Sequence, residues 1–118
     1  MPKIKKQDIQ SPKGMNDILP QDQPYWQFVI KKASAILTDY GFEKIDTPIV
    51  EHTSLFARSV GESTDIVEKE MYSFKTKGGD DLCLRPENTA GIVRAYIEHG
   101  MSVMPHPVQL WYFGPFFR

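Results

Sequence analysis

The chain has 118 residues, of which 41% are hydrophobic and 25% charged, which is typical of one modest folded domain and excludes an intrinsically disordered chain. Its 14 Lys and Arg against 15 Asp and Glu give a net charge of -1, which excludes nucleic-acid binding by bulk positive charge but leaves a local basic site open. No apolar run approaches the roughly 18 residues that cross a bilayer, no signal peptide is recognisable, and the single cysteine excludes a disulfide framework. We therefore expect a cytoplasmic protein that does not bind a membrane.

The first part of the chain predicts a polar lead-in followed by a long helix. Residues 1–11 are polar and basic, and the prolines and glycine of residues 11–20 predict irregular structure. Across residues 21–40, apolar side chains recur at three- and four-residue spacing, which predicts an amphipathic helix that Gly41 ends. The apolar face consists of Trp26, Val29, Ala33, Ile36, Leu37 and Tyr40.

The next segment, residues 42–51, is predicted to be extended, with Pro48 in its middle. Because proline cannot donate to a strand ladder, we expect this strand at a sheet edge, a bulge or an interface. Two interpretations stay open, an edge strand protected against aggregation and a subunit interface that the proline shapes. After it, Thr53 is predicted to cap a short helix that Gly61 ends, and residues 62–70 form a loop or a short helix.

A hairpin and a second long helix are predicted in the following part of the chain. Residues 71–75 and 82–85 have the pattern of two strands, and the glycines and aspartates of residues 77–81 favour a hairpin turn between them. Cys83 lies between two leucines and is predicted to be a buried or half-buried strand residue. Residues 89–99 carry apolar residues on one helical face.

The sequence ends in a turn at residues 104–107 and an aromatic strand at residues 108–113. Because a natural domain seldom ends in an apolar strand, we expect the sequence to be cut inside a larger domain. Together the predicted elements indicate an α+β fold with a mostly antiparallel sheet flanked by helices.

Residues 84–90 pass from a strand through a proline into a helix and form the first candidate site. In one interpretation Glu87 and Thr89 cap the helix, because the free amides of a helix start favour anions. In the other, Glu87 points into a pocket and holds a cationic group, such as the α-ammonium of an amino acid. The Thr89 hydroxyl would then contact the same group.

Arg118, which follows the aromatic strand, is the second candidate. It is either a surface arginine or a guanidinium that binds a phosphate through two parallel hydrogen bonds. The three histidines, His52, His99 and His106, lack the spacing of paired metal ligands, so we expect no metal site. No glycine-rich phosphate loop and no catalytic serine or zinc-protease motif is present.

Five segments of the chain, taken in order, resemble one known family. They are PKGMNDILP at residues 12–20, IDTPIVE at 45–51, DIVEKEMY at 65–72, LRPENTA at 84–90 and LWYFGPFFR at 110–118. From about Pro12 to Arg118 the chain resembles the histidyl-tRNA synthetases, which are class II aminoacyl-tRNA synthetases. The Glu-His-Gly of residues 98–100 favours the histidine enzyme over those for threonine, proline or glycine. Lys13 stands where the family usually has arginine, and Asn88 stands where it usually has glycine.

The resemblance implies roles for particular residues. Glu87, Asn88 and Thr89 would bind histidine, with Glu87 and Thr89 on its α-amino group. Arg118 would be catalytic and would hold the α-phosphate of ATP. Pro48, Ile49 and Val50, in the segment similar to motif 1, would lie at a homodimer interface. The change at Asn88 matters little if its side chain turns outward, but it affects a tight position if the backbone there needs a positive φ.

The resemblance also implies a reaction and a domain organisation. Residues 12–118 would be the N-terminal portion of a catalytic core, from motif 1 to the start of motif 2. The full enzyme would use ATP and Mg²⁺ to activate L-histidine and transfer it to tRNA-His, whereas the isolated chain would have little or no activity. Two alternatives stay open, a histidine-sensing regulatory paralogue without aminoacylation activity and a fragment that only dimerises.

Overall fold

The computed structural model describes residues 9–60 and 70–118, without the side chains of residues 58–60. The chain divides into two units, the first ending at Tyr40 and the second covering Gly41–Arg118. Most of the predicted lead-in, the predicted helix stop at Gly61 and nearly all of the predicted loop or helix at residues 62–70 lie outside the described residues.

One helix, α1, dominates the first unit and confirms the first helix prediction. It spans Gln23–Asp39 and has Pro24 in its first turn, where no intrahelical hydrogen bond is lost. At its other end, the Tyr40 amide donates to the Ile36 carbonyl at 3.1 Å. No residue of α1 is buried within the chain, and Trp26 on the predicted apolar face is 42% exposed. An exposed apolar face of this kind is typical of a helix that packs against further protein.

The segment predicted as one extended strand is divided between two strands of the second unit. Strand β1 spans Glu43–Lys44, strand β2 spans Val50–His52, and Pro48 lies between them. The prediction of one strand with Pro48 in its middle is therefore wrong. The two strands enter different sheets, because β1 pairs with the far end of the chain and β2 with the predicted hairpin.

The predicted hairpin is confirmed. Strands β3, Ser73–Lys75, and β4, Asp81–Leu84, pair antiparallel, and β2 pairs antiparallel with β4, so the order of the three strands is β2-β4-β3. The turn is closed by the Thr76 amide, which donates to the Asp80 carbonyl at 3.0 Å. Gly79 has a φ of +90°, a conformation that glycine adopts without steric cost. Strand β2 therefore lies at a sheet edge, in agreement with one of the predicted positions.

Two helices pack against this sheet and form a small core. They are α2, Thr53–Val60, and α3, Thr89–Glu98. The core consists of Phe56, Cys83 and Ala90, of which the first two are fully buried. The prediction that Cys83 is a buried strand residue is therefore confirmed.

The end of the chain has less regular structure than its sequence predicts. A short 3₁₀ helix covers Met101–Val103, and strand β5 covers Leu110–Trp111, which is shorter than the predicted strand. Strand β5 pairs parallel with β1, so that Glu43 is opposite Leu110. The fold is α+β with a mostly antiparallel sheet, as predicted. In the described part of the chain, we find no helix with the length and apolar character needed to cross a membrane.

Candidate functional site

An open cavity of about 360 Å³ lies where the loop before α3 meets the last residues of the chain. Its lining residues are Pro86, Glu87, Asn88, Thr89, Tyr112, Phe116 and Arg118. The structure thus brings together the two candidate sites, which are separated by about thirty residues in the sequence. The cavity has one carboxylate and one guanidinium in its wall, so it offers one group to a cation and another to an anion.

The Glu87 carboxylate caps the start of α3. One of its oxygens, Oε2, accepts a hydrogen bond from the Thr89 amide at 2.5 Å, and both oxygens lie 3.3 Å from the Ala90 amide nitrogen. These amides are the free donors of the helix start, and a negative charge is favourable there. The capping interpretation is therefore confirmed for Glu87, whereas Thr89 takes part through its backbone amide. Glu87 also lines the cavity, and because a carboxylate has about four acceptor positions, it can cap the helix and accept from a ligand at once.

Asn88 faces the interior of the second unit rather than solvent. It is 3% exposed, and its Oδ1 accepts a hydrogen bond of 2.8 Å from the Thr47 hydroxyl. Its φ is -126°, so the backbone here does not need a glycine. The structure therefore shows neither the outward side chain nor the positive φ that the sequence left open. Among the described residues, its buried Nδ2 has no hydrogen-bond partner.

Arg118 lines the same cavity, together with the aromatic residues Tyr112 and Phe116. Its Nε donates to the Pro86 carbonyl at 3.3 Å, which ties the guanidinium to the loop that carries Glu87. Tyr112 and Phe116 pack edge to face, with ring centroids 6.0 Å apart. Aromatic walls of this kind supply apolar contact surface, while the arginine supplies a permanent positive charge.

The three residues of the predicted dimer interface lie elsewhere. Pro48 precedes β2 and Val50 begins it, so both belong to the edge of the three-stranded sheet and not to the cavity. Ile49 is 42% exposed and Val50 is 38% exposed. This exposed apolar edge is available to a partner.

Sequence reasoning missed two polar residues that support the loop before α3, the buried Arg85 and the half-buried Thr47. Arg85 is 5% exposed, and its Nη1 lies 3.1 Å from the Thr47 carbonyl oxygen and 3.3 Å from the Thr47 hydroxyl. A signal was present, since Arg85 lies two positions after the buried Cys83 and therefore shares its face of the strand. Tyr112 and Phe116 were noted only as members of the aromatic segment at residues 110–118.

Among the described residues, Cys83 has a side-chain pKa that the fold clearly shifts. Burial raises the pKa of the Cys83 thiol, the nearby Thr53 hydroxyl offsets this in part, and the charge of Glu51 adds to the rise. A raised pKa keeps the thiol neutral, and Cys83 lies in the core rather than in the cavity wall. Cys83 is therefore a packing residue and not a nucleophile of this site.

The comparisons with known proteins agree on one family. The family model described as histidyl-tRNA synthetase matches residues 14–118. The chain belongs to the histidyl-tRNA synthetase family. Relatives include histidine–tRNA ligases of Dehalococcoides mccartyi strain 195, 58% identical over 109 residues, and of Burkholderia mallei strain ATCC 23344, 56% identical over 117 residues. The chain spans about a quarter of their length, since 92% and 98% of this chain match 26% of each relative.

Solved structures support the same histidyl-tRNA synthetase assignment. The apo histidyl-tRNA synthetase of Staphylococcus aureus superposes with a TM-score of 0.79 at 43% identity, over 93% of this chain and 26% of that one. A Bacillus halodurans structure described as an ATP phosphoribosyltransferase regulatory subunit/histidyl-tRNA synthetase gives a TM-score of 0.70 at 25% identity, over 87% and 26% of the two chains. The family resemblance predicted from the five sequence segments is therefore confirmed.

Proposed function

We propose that residues 12–118 are the N-terminal portion of the catalytic domain of a cytoplasmic histidine–tRNA ligase. The observation that carries the proposal is the single cavity whose wall contains both the Glu87 carboxylate and the Arg118 guanidinium. A carboxylate matches the α-ammonium of an amino acid, and a guanidinium matches a phosphate. The 58% identity with a histidine–tRNA ligase supports histidine as the amino acid. The complete ligase is the full-length protein of which this segment forms about a quarter by comparison with its relatives.

In the first step of the proposed reaction, a carboxylate oxygen of histidine attacks the α-phosphorus of ATP. A new phosphorus–oxygen bond forms, the bond from the α-phosphorus to the bridging oxygen breaks, and pyrophosphate leaves with the electron pair. Glu87 holds the α-ammonium of histidine with the Thr89 hydroxyl beside it, and the backbone of Asn88 completes that wall. Arg118 holds the α-phosphate and stabilises the charge that develops on its oxygens. Catalysis then rests on positioning and electrostatic stabilisation.

Magnesium would arrive with ATP, whose phosphate charge it offsets when bound. The cavity offers it one carboxylate, that of Glu87, which the proposed site assigns to the α-ammonium of histidine. In the described part of the chain, no group of three or more His, Cys, Asp or Glu side chains could hold a metal ion. We therefore assign no magnesium ligand and no catalytic step for the ion to this segment.

The second step, transfer of histidine to the 3′ end of tRNA-His, requires more of the ligase than this segment. The chain matches about a quarter of its relatives, and its net charge of -1 gives tRNA no general attraction. We expect the isolated chain to have little or no aminoacylation activity. Ordinary turnover by the isolated chain would contradict this expectation.

We also propose that the complete ligase is a homodimer with Pro48, Ile49 and Val50 at the interface. The support is the exposed apolar edge that these residues form at β2. The variant Ile49→Glu places a charge on this edge and should shift the ligase from dimer to monomer in sedimentation, whereas Phe74→Glu, on the opposite edge strand β3 and 46% exposed, should not. Dimers that persist in Ile49→Glu would contradict this interface.

A regulatory paralogue that binds histidine without aminoacylation is the second candidate. It is kept because the description of the Bacillus halodurans structure names a regulatory subunit beside a histidyl-tRNA synthetase, although the 25% identity is well below the 56–58% shared with histidine–tRNA ligases. Histidine-dependent exchange of pyrophosphate into ATP by the full-length protein distinguishes the ligase from the regulatory paralogue. Exchange that requires histidine supports the ligase, and calorimetric histidine binding without any exchange supports the regulator.

A further inference from the structure

Arg85 is a buried cation that is held by main-chain oxygens. It is 5% exposed, and in the described part of the chain it forms no ion pair with a carboxylate. Its Nη1 donates to the Thr47 carbonyl at 3.1 Å, its Nε donates to the Pro115 carbonyl at 3.0 Å, and its guanidinium lies 4.9 Å from the centre of the Phe116 ring. Burial of a charge is costly unless hydrogen bonds compensate for it. The segments around Thr47 and Pro115 must therefore stay where their carbonyl oxygens can accept from the guanidinium.

Arg85 also contacts the last residues of the chain through its backbone. Its carbonyl accepts a hydrogen bond of 2.9 Å from the Phe117 amide. Together with the side-chain contacts, this one residue touches Pro115, Phe116 and Phe117, the three residues immediately before Arg118.

The fit between the guanidinium and this segment is tight at Gly114. A Cβ added to Gly114 would lie 2.6 Å from Nη2 of Arg85, well inside van der Waals contact. The guanidinium therefore occupies the space where any other residue at position 114 would have its side chain. Arg85 and Gly114 determine together where the chain enters the cavity.

We propose that Arg85 is a positioning residue that sets the place of Arg118 for the phosphate of ATP. This inference rests on the proposed function, in which Arg118 binds ATP and Glu87 binds histidine. Only the planar guanidinium can hold the Thr47 and Pro115 carbonyls at the same time, because its Nε and Nη1 point in different directions. The Glu87 carboxylate is fixed independently by amides of α3. Loss of the guanidinium should therefore displace Arg118, which binds ATP in the proposed site, more than Glu87, which binds histidine.

The experiment measures the KM for ATP and for histidine in pyrophosphate exchange by the complete ligase. Arg85→Lys should raise the KM for ATP at least about tenfold and leave the KM for histidine within about twofold, because misplacement by roughly 1 Å is enough for such a loss. Arg94→Lys is the matched control, since the ion-pair partners of Arg94 are Glu98 and the buried Glu51, neither of which belongs to residues 114–118. It should lower stability without a change in the KM for ATP.

Gly114→Ala is an independent test of the role of Arg85. It replaces the first variant if Arg85→Lys does not fold. It keeps every charge but displaces Nη2, so it should raise the KM for ATP in the same selective way. An unchanged KM for ATP in Arg85→Lys, or equal rises for both substrates, would overturn the proposal. Arg118→Gln separates this failure from failure of the proposed function, because an unchanged KM for ATP in Arg118→Gln would mean that Arg118 does not bind ATP at all.

Discussion

Thr47 donates a hydrogen bond of 2.8 Å to the side-chain oxygen of Asn88, across 41 positions of sequence. This bond joins the segment between β1 and β2 to the residue that precedes α3. The same hydroxyl lies 3.3 Å from Nη1 of Arg85, so Thr47 acts as donor to one buried partner and as acceptor from another. Hydrogen bonds of Thr47 therefore connect the segment that leads into β2 with the buried residues Asn88 and Arg85.

Thr47→Val is expected to lower the free energy of unfolding by about 1–3 kcal/mol, because it removes the hydroxyl and leaves buried polar partners unsatisfied. The measurement is the shift of the denaturant midpoint of the complete ligase. Thr38→Val on the exposed surface of α1 is the control and should change stability by less than about 0.5 kcal/mol. Equal midpoints for Thr47→Val and the unchanged protein would contradict a stabilising role of this hydroxyl.

Gly91→Ala is expected to destabilise the protein although it lies in helix α3, where alanine is intrinsically favoured by about 1 kcal/mol. The added Cβ would lie 2.8 Å from Oδ1 of Asn88 and 3.1 Å from Oε2 of Glu51. Both atoms are buried and hydrogen-bonded, so they cannot move away cheaply, and we expect a net loss of about 1–3 kcal/mol.

The control for this substitution is Gly78→Ala in the exposed hairpin turn, where the nearest atom would be 3.8 Å away. Denaturant unfolding of the two variants should give clearly different midpoints, with Gly78→Ala close to the unchanged protein. If Gly91→Ala stabilised the protein instead, the side chains of Asn88 and Glu51 would have to move aside at little cost in free energy, which would contradict this prediction.

Glu87→Gln distinguishes helix capping from histidine binding. Glutamine keeps an acceptor oxygen for the amides of α3, so we expect a stability loss of no more than about 1 kcal/mol. In the proposed site it removes the charge that would hold the α-ammonium, so the KM for histidine should rise about 10- to 100-fold in pyrophosphate exchange. Glu98→Gln, at the other end of α3 and in an exposed pair with Arg94, is the matched control and should leave this KM unchanged. An unchanged KM for histidine in Glu87→Gln would mean that Glu87 caps the helix and does not bind histidine.

The buried thiol of Cys83 predicts a pH-dependent contribution to stability. Because burial raises the pKa of this thiol in the folded state, the contribution is fully present below the pKa of the unfolded chain. It is lost as the pH rises through the higher pKa of the folded state. Cys83→Ala should be less stable by about 1–2 kcal/mol at neutral pH, since it leaves a small cavity in the core. Denaturant midpoints of both proteins between neutral and alkaline pH should converge as the pH rises, and a constant difference would contradict this assignment.

Local patterns predicted the elements whose determinants are close together in sequence. The spacing of apolar residues was enough for α1 and α3, and the glycines of the turn at residues 77–81 were enough for the β3–β4 hairpin. The parallel pairing of β1 with β5 was not predictable in the same way, because Glu43 and Leu110 are far apart along the chain. The division of the predicted strand around Pro48 has the same cause, since β1 pairs with β5 and β2 pairs with β4, which are both distant in the sequence.

The sequence was sufficient to predict the charged residues of the candidate site, but not the residues that support them. Glu87 and Arg118 have side chains whose chemistry indicates a ligand class without knowledge of the fold. The importance of Thr47 and Arg85 depends on contacts 30 to 41 positions away, which no local pattern reports. The inward orientation of Asn88 likewise depends on Thr47.

The most direct test of the proposed site is a crystal structure of the complete ligase with a non-hydrolysable analogue of histidyl-adenylate. We predict that the α-ammonium of the analogue lies within hydrogen-bond distance of the Glu87 carboxylate and that its phosphate mimic contacts the Arg118 guanidinium. An analogue bound in another cavity, or bound here with its ammonium directed away from Glu87, would contradict the assignment.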